Sequence, residues 1–486
     1  MIQLAAALSP EKLAKISARR EKEIQKWEKQ KARPKRNTYF AYIVLVTTLI
    51  YATDEIASQI GTLMKTEIAN DLMANFGASS VSMLDLLTVI MVPFQALALI
   101  YRPLADRFGR KVFLVINTFG MSFAMLLIFL SNNIALYFVG AVMIQFFIPH
   151  DMHVVFIMES SPAKSRAITY SVIKFFANMG VMLIPFLRRT LMHDVSQWRN
   201  VFLIPAVVGI AVSLIALLCA RETDAFIDAR LTYLRKTDEE REAEKAQKKA
   251  ENSQGGIIQG LKFAFQHKQL KWLYISSIFA NIGVLGSVNY QVIMNYGYGD
   301  HALKAGLFSD ITKAVEAVSI NEVTAAIMLF PIGSALAQVI MGFICDSAGR
   351  KKAAIVTSLN CLIGFLGFYI GSYCGFNPYV VGFLCGVFVG SYYSTNDIII
   401  MMVGESAPTN LRSSVMSAQF IVTAIGYGLG YALGLPLNSI FGNTAVGLVS
   451  LCMLVPGFLV TLIVLFKKTN ETKGLDLGEV TGAEWD

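Results

Sequence analysis

Apolar residues in this chain gather in long blocks rather than alternating with polar ones, and short charged or turn-forming stretches separate the blocks. We read twelve, near 38–64, 81–103, 112–130, 134–157, 167–187, 200–219, 270–296, 319–344, 353–373, 378–402, 413–436 and 444–466. About 20 apolar residues suffice to carry a helix across a bilayer. A backbone surrounded by lipid must satisfy its own hydrogen bonds, so each block is predicted to be a helix. Pro93, Pro149, Pro185, Pro205, Pro331, Pro436 and Pro456 fall inside blocks; such prolines would break soluble helices but are common in spanning ones. Met1–Leu8 is too short an apolar run for a cleavable leader, and none is expected.

Composition agrees with this pattern: 55% hydrophobic, 16% charged and a mean hydropathy of +0.53, too apolar for a soluble fold of this length. Charge then orients the spans. Of 42 Lys and Arg, only Lys65, Arg188, Arg189, Arg199, Lys304 and Lys313 fall on one side, and Lys174 lies inside a span. The others sit on the opposite side, which the positive-inside rule assigns to the cytoplasm. The net charge of +8 therefore faces headgroups, and a nucleic-acid partner is not expected. The expectation is a multi-pass protein of the cell (plasma or inner) membrane with both termini cytoplasmic. Its parts are a basic tail (1–37), a six-helix bundle (38–219), a helical linker (220–269), a second six-helix bundle (270–466) and a short tail (467–486). Ser9-Pro10-Glu11 is a good helix start, and Leu13, Ile16, Ile24 and Trp27 follow on one face among basic residues. The tail is read either as an amphipathic helix on the inner leaflet or as a solvated topology signal. Residues 224–234 of the linker have helical spacing and are expected to be solvated.

The halves repeat each other. Leu104-Ala105-Asp106-Arg107-Phe108-Gly109-Arg110-Lys111 recurs as Ile344-Cys345-Asp346-Ser347-Ala348-Gly349-Arg350-Lys351. Glu159-Ser160-Ser161-Pro162 with Arg166 recurs, in the same order and at nearly the same offset, as Glu405-Ser406-Ala407-Pro408 with Arg412. Two motifs repeated in order indicate a duplicated unit, and duplicated apolar halves point to a secondary transporter with its site between them.

These motifs resemble those of the major facilitator superfamily, in particular its sugar-porter and organic-ion branches. Glu471-Thr472-Lys473-Gly474 after the last span adds to the likeness, although Asn470 replaces the usual Pro. The resemblance implies an all-α fold of two six-helix bundles related by a pseudo-two-fold axis, working by alternating access. It also implies that Asp106, Arg110, Glu159, Arg166, Asp346, Arg350, Glu405 and Arg412 form a cytoplasmic gate, bridging the bundles in one state and releasing them in the other. A plain topology signal is the alternative for these charges. Arg102-Pro103 stands where the family's first loop Gly would be.

Charges inside spans are functional candidates because each is costly in hydrocarbon. Asp54, with Glu55 as substitute, is the candidate for proton coupling in span 1; pairing with Arg188 or Arg189 is the alternative. Span 4 holds Pro149-His150-Asp151-Met152-His153. The repeat relates Asp151 to Asp397 and His150 to Asn396. The acidic pair either flanks the cavity, which makes Asp151 and Asp397 proton-coupling candidates and His150 and Asn396 substrate-binding candidates, or is a structural pair facing its own bundles. His150 and His153 are too few ligands for an expected metal site. Lys174 in span 5 occupies the position of the sugar porters' sugar-binding Gln, while Gly180 keeps their Gly. The span 7 Gln pair is missing near Phe279-Ala280, and Ile400 replaces an expected Trp. A buried ammonium needs an anionic partner, either a substrate carboxylate or one of Asp54, Glu55 and Asp151. Asn281, Asn289, Tyr290, Gln291 and Asn295 in span 7, with Tyr392, Tyr393 and Asn396 in span 10, either line the site or act as interhelical glue.

The six Cys are scattered without zinc or disulfide spacing, and no phosphate-binding loop for ATP is present. The expectation is a monomeric transporter, not an enzyme and without cofactor. It would move a small organic solute, leaning to an organic anion or carboxylate, by proton symport. A sugar or polyol carrier, a drug/proton antiporter and a non-transporting nutrient sensor are the alternatives.

Overall fold

The computed structural model describes residues 10–34, 38–97, 104–105, 107–148, 152–161, 166–237, 239–243, 257–408 and 411–475. The fold is all helix, with twelve spans in two six-helix bundles. The first half holds α1 (Pro10–Ala32), α2 (Tyr39–Leu63), α3 (Lys65–Leu72), α4 (Ser80–Ala96), α5 (Arg110–Phe129) and α6 (Ile134–Phe147). It continues with α7 (Met152–Ser160), α8 (Arg166–Gly180), α9 (Leu183–Leu191), α10 (Asn200–Cys219) and the linker helix α11 (Asp224–Arg235). The second half begins with α12 (Ile257–Gln266), α13 (Lys268–Ile282), α14 (Val284–Val288), α15 (Tyr290–Lys304) and α16 (Ile311–Val318). It ends with α17 (Thr324–Ala348), α18 (Arg350–Tyr373), α19 (Pro378–Glu405), α20 (Arg412–Phe441) and α21 (Val446–Lys468).

Among the described residues, nine helices are long and apolar enough to cross a bilayer unaided. Spans 5, 7 and 10 fall short, each for a visible reason. Span 5 is divided into α8 and α9, span 7 into α13, α14 and α15, and span 10 (α19) carries Ser391–Asp397 in its interior. These interruptions gather where the halves meet. Spans 8 and 10 approach closely because Gly382, Gly386 and Gly390 form one stripe on α19. A Cβ at these positions would lie 1.7 Å, 2.1 Å and 2.5 Å from the Ala326, Phe330 and Ser334 carbonyl oxygens of span 8. Small residues at four-residue spacing permit such backbone contact in membrane helices.

The first span of each half is kinked alike. Met64 (φ −119°, ψ 13°) separates α2 from α3, and Asn289 (φ −118°, ψ 13°) separates α14 from α15. The kinked segments pack together on the side poor in basic residues, the far side. Gln291 Oε1 accepts hydrogen bonds from Thr66 N (3.0 Å) and Thr66 Oγ1 (2.8 Å), and Asn295 Nδ2 donates to Thr66 Oγ1 at 2.9 Å. Two ion pairs complete the seam. Arg188 Nη2 lies 2.7 Å from Glu67 Oε1, with side chains 0% and 1% exposed. Lys65 pairs with Asp85 and donates to the Val288 carbonyl at 3.0 Å. Arg188 also donates to Ser319 O and Oγ (3.0 Å each) and to Thr324 Oγ1 (3.1 Å). These acceptors flank the π-helical turn Ser319–Val323 that opens span 8. Asn289 Nδ2 reaches Asp85 Oδ2 at 2.9 Å. Each ion pair joins two first-half residues, and second-half groups supply further hydrogen bonds to it, although Arg188 Nη1 also donates to the first-half Leu63 carbonyl at 2.8 Å. Arg188 is therefore held by Glu67, and not by Asp54 or Glu55.

On the opposite, basic side, the tail forms α1, whose Ile24 and Trp27 pack on α11 instead of lipid; the Leu13 and Ile16 side chains lie outside what is described. Trp27 meets Phe226 edge-to-face at 5.5 Å and joins Ile24, Ile227, Leu231 and Leu234 in a separate core. Arg230 Nη2 binds Glu23 Oε1 at 2.8 Å, and Arg235 Nη2 binds Glu28 Oε1 at 2.6 Å. The linker helix begins where the sequence places it, capped by Thr223 Oγ1 accepting from Phe226 N, but one face is covered rather than solvated.

The far-side seam generates a prediction. Arg188→Ala leaves Glu67 buried without its cation, which costs about 3–5 kcal/mol in this closed arrangement. The bundles should then part on the far side. A cysteine placed at the buried Ser287 in a cysteine-free background should react faster with a membrane-impermeant thiol reagent. Combining Arg188→Met with Glu67→Met should restore most of the protection; equal reactivity in all three forms would count against the seam as a latch.

Candidate functional site

A cavity of about 400 Å³ lies between the bundles. Tyr51, Glu55 and Gln59 of span 1 with Lys174, Asn178 and Val181 of span 5 form one wall. Phe330, Pro331, Ser334 and Gln338 of span 8 with Val389, Tyr393 and Asp397 of span 10 form the other. Helical geometry accounts for this lining: residues three or four apart share a face, as do Tyr51, Glu55 and Gln59, or Tyr393 and Asp397. Gly180 lets span 5 approach span 1, since a Cβ there would sit 2.8 Å from the Ala52 Cβ. That approach carries Lys174 and Asn178 onto the wall that holds Glu55.

Among the described residues, the cavity lining thus offers one ammonium and two carboxylates among neutral donors and acceptors. Lys174 and Asp397 line this cavity from different halves, with Glu55 and Tyr393 on the same lining. The cavity's volume falls in the range of small-molecule sites, about 300–1,000 Å³. The repeat relation that singled out Asp397 led to a wall residue. Its counterpart Asp151, with His150, lies outside the described residues.

Other candidates are placed elsewhere. Asp54 is buried and is not among the wall residues, whereas its neighbour Glu55 is. Asn281 donates to Asn396 Oδ1 at 2.7 Å and accepts from Tyr392 at 3.2 Å, a buried network inside the second bundle. Asn289, Gln291 and Asn295 belong to the far-side seam, and Tyr290 donates to Gln59 Oε1 at 3.1 Å, tying the seam to the cavity wall. His153 is buried with its ring centroid 4.1 Å from that of Tyr51. Among the described residues no three metal-ligating side chains cluster.

The duplicated loops close into two copies of one device on the basic side. Arg110 Nε binds Glu159 Oε1 at 3.1 Å, and Arg350 Nε binds Glu405 Oε1 at 3.2 Å. Thr223 Oγ1 donates to Glu159 Oε2 at 2.5 Å, and Thr472 Oγ1 donates to Glu405 Oε2 at 2.6 Å. A second glutamate caps each following span. Glu222 Oε1 accepts from Arg110 N and Lys111 N at 3.0 and 3.1 Å, and Glu471 accepts from Arg350 N and Lys351 N at 2.7 and 3.2 Å. A carboxylate at a helix N-terminus satisfies orphan amides and complements the dipole. Burial pushes the Glu222 carboxyl above its ordinary range, and the amides of Lys111, Thr223 and Arg110 pull it back. Gly109 (φ 116°) and Gly349 (φ 109°) make room, because a Cβ at either would lie 2.2 Å from the glutamate oxygen.

These pairs lie within their own halves in this far-side-closed arrangement. Asp346 follows the same rule, pairing with Arg350 at 3.3 Å, and Arg412 donates to the Ala407 carbonyl. Asp106, Arg102-Pro103 and the Arg166 side chain lie outside what is described. The capping role of Glu222 went unread in sequence. Its signal was present, since Glu222-Thr223 after span 6 repeats Glu471-Thr472 after span 12.

Comparison with known proteins agrees with this architecture. The family described as Major Facilitator Superfamily matches residues 39–316 and 302–485. A Caenorhabditis elegans facilitated glucose transporter homolog is 29% identical over 161 residues, covering 32% of this chain and 29% of that protein. Human solute carrier family 2, facilitated glucose transporter member 4, is 27% identical over 25% of this chain and 23% of its own length. The matched stretch thus spans less than a third of either relative. Among solved structures, the inward open xylose transporter XylE from E. coli superposes with a TM-score of 0.59 at 16% identity, covering 92% of this chain and 100% of that one. A point mutant of the nucleoside transporter NupG gives 0.59 at 13% identity, covering 87% and 100%. With two duplicated bundles, repeated loop devices and a family match across nearly all of the spans, the chain belongs to the Major Facilitator Superfamily.

Proposed function

We propose that this transporter moves a small organic anion together with protons, by alternating access across a cell membrane with its basic side in the cytoplasm. The observation that carries this reading is the Lys174–Asp397 relation across the cavity. A half-buried ammonium in a partly dry cavity gains from a nearby anion, and before substrate binds Asp397, on the facing wall, is the carboxylate available to it. When Asp397 takes up a proton it releases Lys174, which then accepts a substrate carboxylate. Proton and substrate therefore load together, because either one alone leaves a charge without its counterpart in a partly dry space. Glu55 is the second proton-carrying candidate, since it shares the wall with Lys174 whereas Asp54 does not.

Alternation follows from the two ends. The far-side seam holds the halves closed there, and the loop devices on the basic side are each satisfied within one half. For the cavity to open on the far side, the Lys65–Asp85 and Arg188–Glu67 groups must lose their partners in the other half. Arg110, Glu159, Arg350, Glu405 and Arg412, with Asp106, Arg166 and Asp346, are the groups that would exchange partners on the basic side. A ligand shifts such an equilibrium only by its differential affinity for the two states.

A sugar or polyol is the second reading, favoured by Gln59, Asn178, Ser334, Gln338 and Tyr393, which offer neutral hydrogen bonds in the same cavity. Several relatives carry sugar-transporter names. Thermal unfolding of purified protein against monosaccharides, carboxylates, aromatic acids and organic amines separates the readings, because a ligand for the folded state raises apparent stability.

On the anion reading, carboxylates stabilise the wild-type protein, and Lys174→Gln weakens their binding at least tenfold, a loss of about 1.4 kcal/mol or more, whereas Lys174→Arg retains much of it. Stabilisation by sugars that survives Lys174→Gln would sink the anion reading. Asp397→Asn fixes the neutral state. In liposomes it should keep substrate exchange but lose the stimulation of uptake by an inward proton gradient; gradient-driven uptake at the wild-type rate would remove Asp397 from coupling.

A further inference from the structure

Helix α1 has two faces, and the second has no counterpart in the transport machinery. Its inward face packs on α11 through Ile24 and Trp27, and its carboxylates Glu23 and Glu28 are turned toward Arg230 and Arg235 of that helix. Lys31 pairs there as well, with Asp228. The opposite face carries Lys15, Arg19, Lys22, Lys26 and Lys29, continued by Arg33 just past the helix, all exposed. Their spacing of alternately four and three residues is that of a single helix face. At 100° per residue they fall within an arc of about 80°. No acidic residue shares that arc between Lys15 and Arg33; Glu21 lies well outside it.

The position of this stripe is set by the spans. Arg221 N donates to the Tyr39 hydroxyl at 2.9 Å, and Arg221 Nη1 donates to the Arg33 carbonyl at 3.0 Å. Tyr39 starts span 1, and Arg221 follows the last turn of span 6. The end of the stripe is therefore tied to the level at which two spans leave the bilayer, and the 23-residue helix extends from that point. Because Ile24 and Trp27 are already covered by α11, this part of α1 cannot bind a membrane by inserting its apolar face. What remains is electrostatic. A cluster of four to eight Lys and Arg immediately beside a membrane span is attracted to anionic lipid, within about a Debye length of the surface.

We propose that α1 is an electrostatic clamp, with its apolar face fastened to the linker helix and its basic stripe resting on the anionic headgroups of the leaflet on the basic side. The clamp would couple the linker between the two bundles to the charge of that leaflet.

The test uses the full chain in lipid nanodiscs, with the native cysteines replaced and Ala18, exposed beside the stripe, changed to Cys and labelled with a polarity-sensitive fluorophore. Discs of pure phosphatidylcholine are compared with discs containing about one-third phosphatidylglycerol, each with a headgroup-attached nitroxide quencher. The expected result is stronger quenching in the anionic discs. High salt should abolish the difference, as should Gln at all six stripe positions, including Lys26, whose ammonium lies over the Trp27 ring. Equal quenching in both discs overturns the proposal, and so does an anionic-lipid effect that persists in the six-Gln variant. Quenching that is absent in both discs while the stripe captures an acidic soluble peptide also overturns it.

Discussion

A guanidinium with no exposed surface governs the relation between the two halves of this protein. Arg188 lies in a buried seam where an isolated charge would be expensive, so its surroundings must supply both an anion and a full set of acceptors. Glu67 provides the anion from its own half. Ser319 and Thr324 provide acceptors from the other, and a π-turn at the start of span 8 holds them at suitable positions. Lys65 and Asp85 repeat the arrangement nearby with Val288 and Asn289. The satisfied seam closes the far side above the cavity, and the bundles cannot part on that side without exposing its charges. Polar residues that weaken span 7 as an apolar segment, Asn289, Gln291 and Asn295, are among those that make the closure specific.

Duplication supplies the opposite end with a different solution. Each half folds its loop arginine, motif glutamate and capping glutamate into a self-contained unit whose acceptors are carboxylates and whose donors include backbone amides. Only glycine permits the carboxylate to approach so closely, and the positive φ angles of Gly109 and Gly349 are strained for any residue with a side chain. Such a unit leaves each half complete on its own, whereas the far-side seam needs both halves. The asymmetry between the two ends is what allows one end to be closed while the other rearranges.

Some of the candidate site could be read from order and spacing. Asp397 was reached through the repeat and Lys174 through its position in a family motif, and both lie on the cavity wall. Sequence named Asp54 for coupling with Glu55 as its substitute, and Glu55 is the one on the cavity wall; neighbouring positions on a helix point about 100° apart, and only the packing partner decides which of them faces the cavity. The polar residues of span 7 were equally ambiguous: Asn281 serves a network inside one bundle, while Gln291 serves the seam. For α1 the periodicity was legible, but an apolar helical face looks the same whether a lipid leaflet or another helix covers it.

By itself the sequence determined what depends on local pattern and on repetition. The apolar blocks require helices, because hydrocarbon offers the backbone no other partner. The basic loops divide the chain into two sides, and the repeated motifs divide it into two halves. Tertiary structure alone decided which charges meet. Glu67 and Arg188 are 121 positions apart, Lys174 and Asp397 line one cavity from different halves, and α1 found α11 across the whole first bundle. Contacts of that kind follow from how the bundles pack and where their kinks fall, and a side chain's chemistry states only that it needs a partner, not which one it will reach.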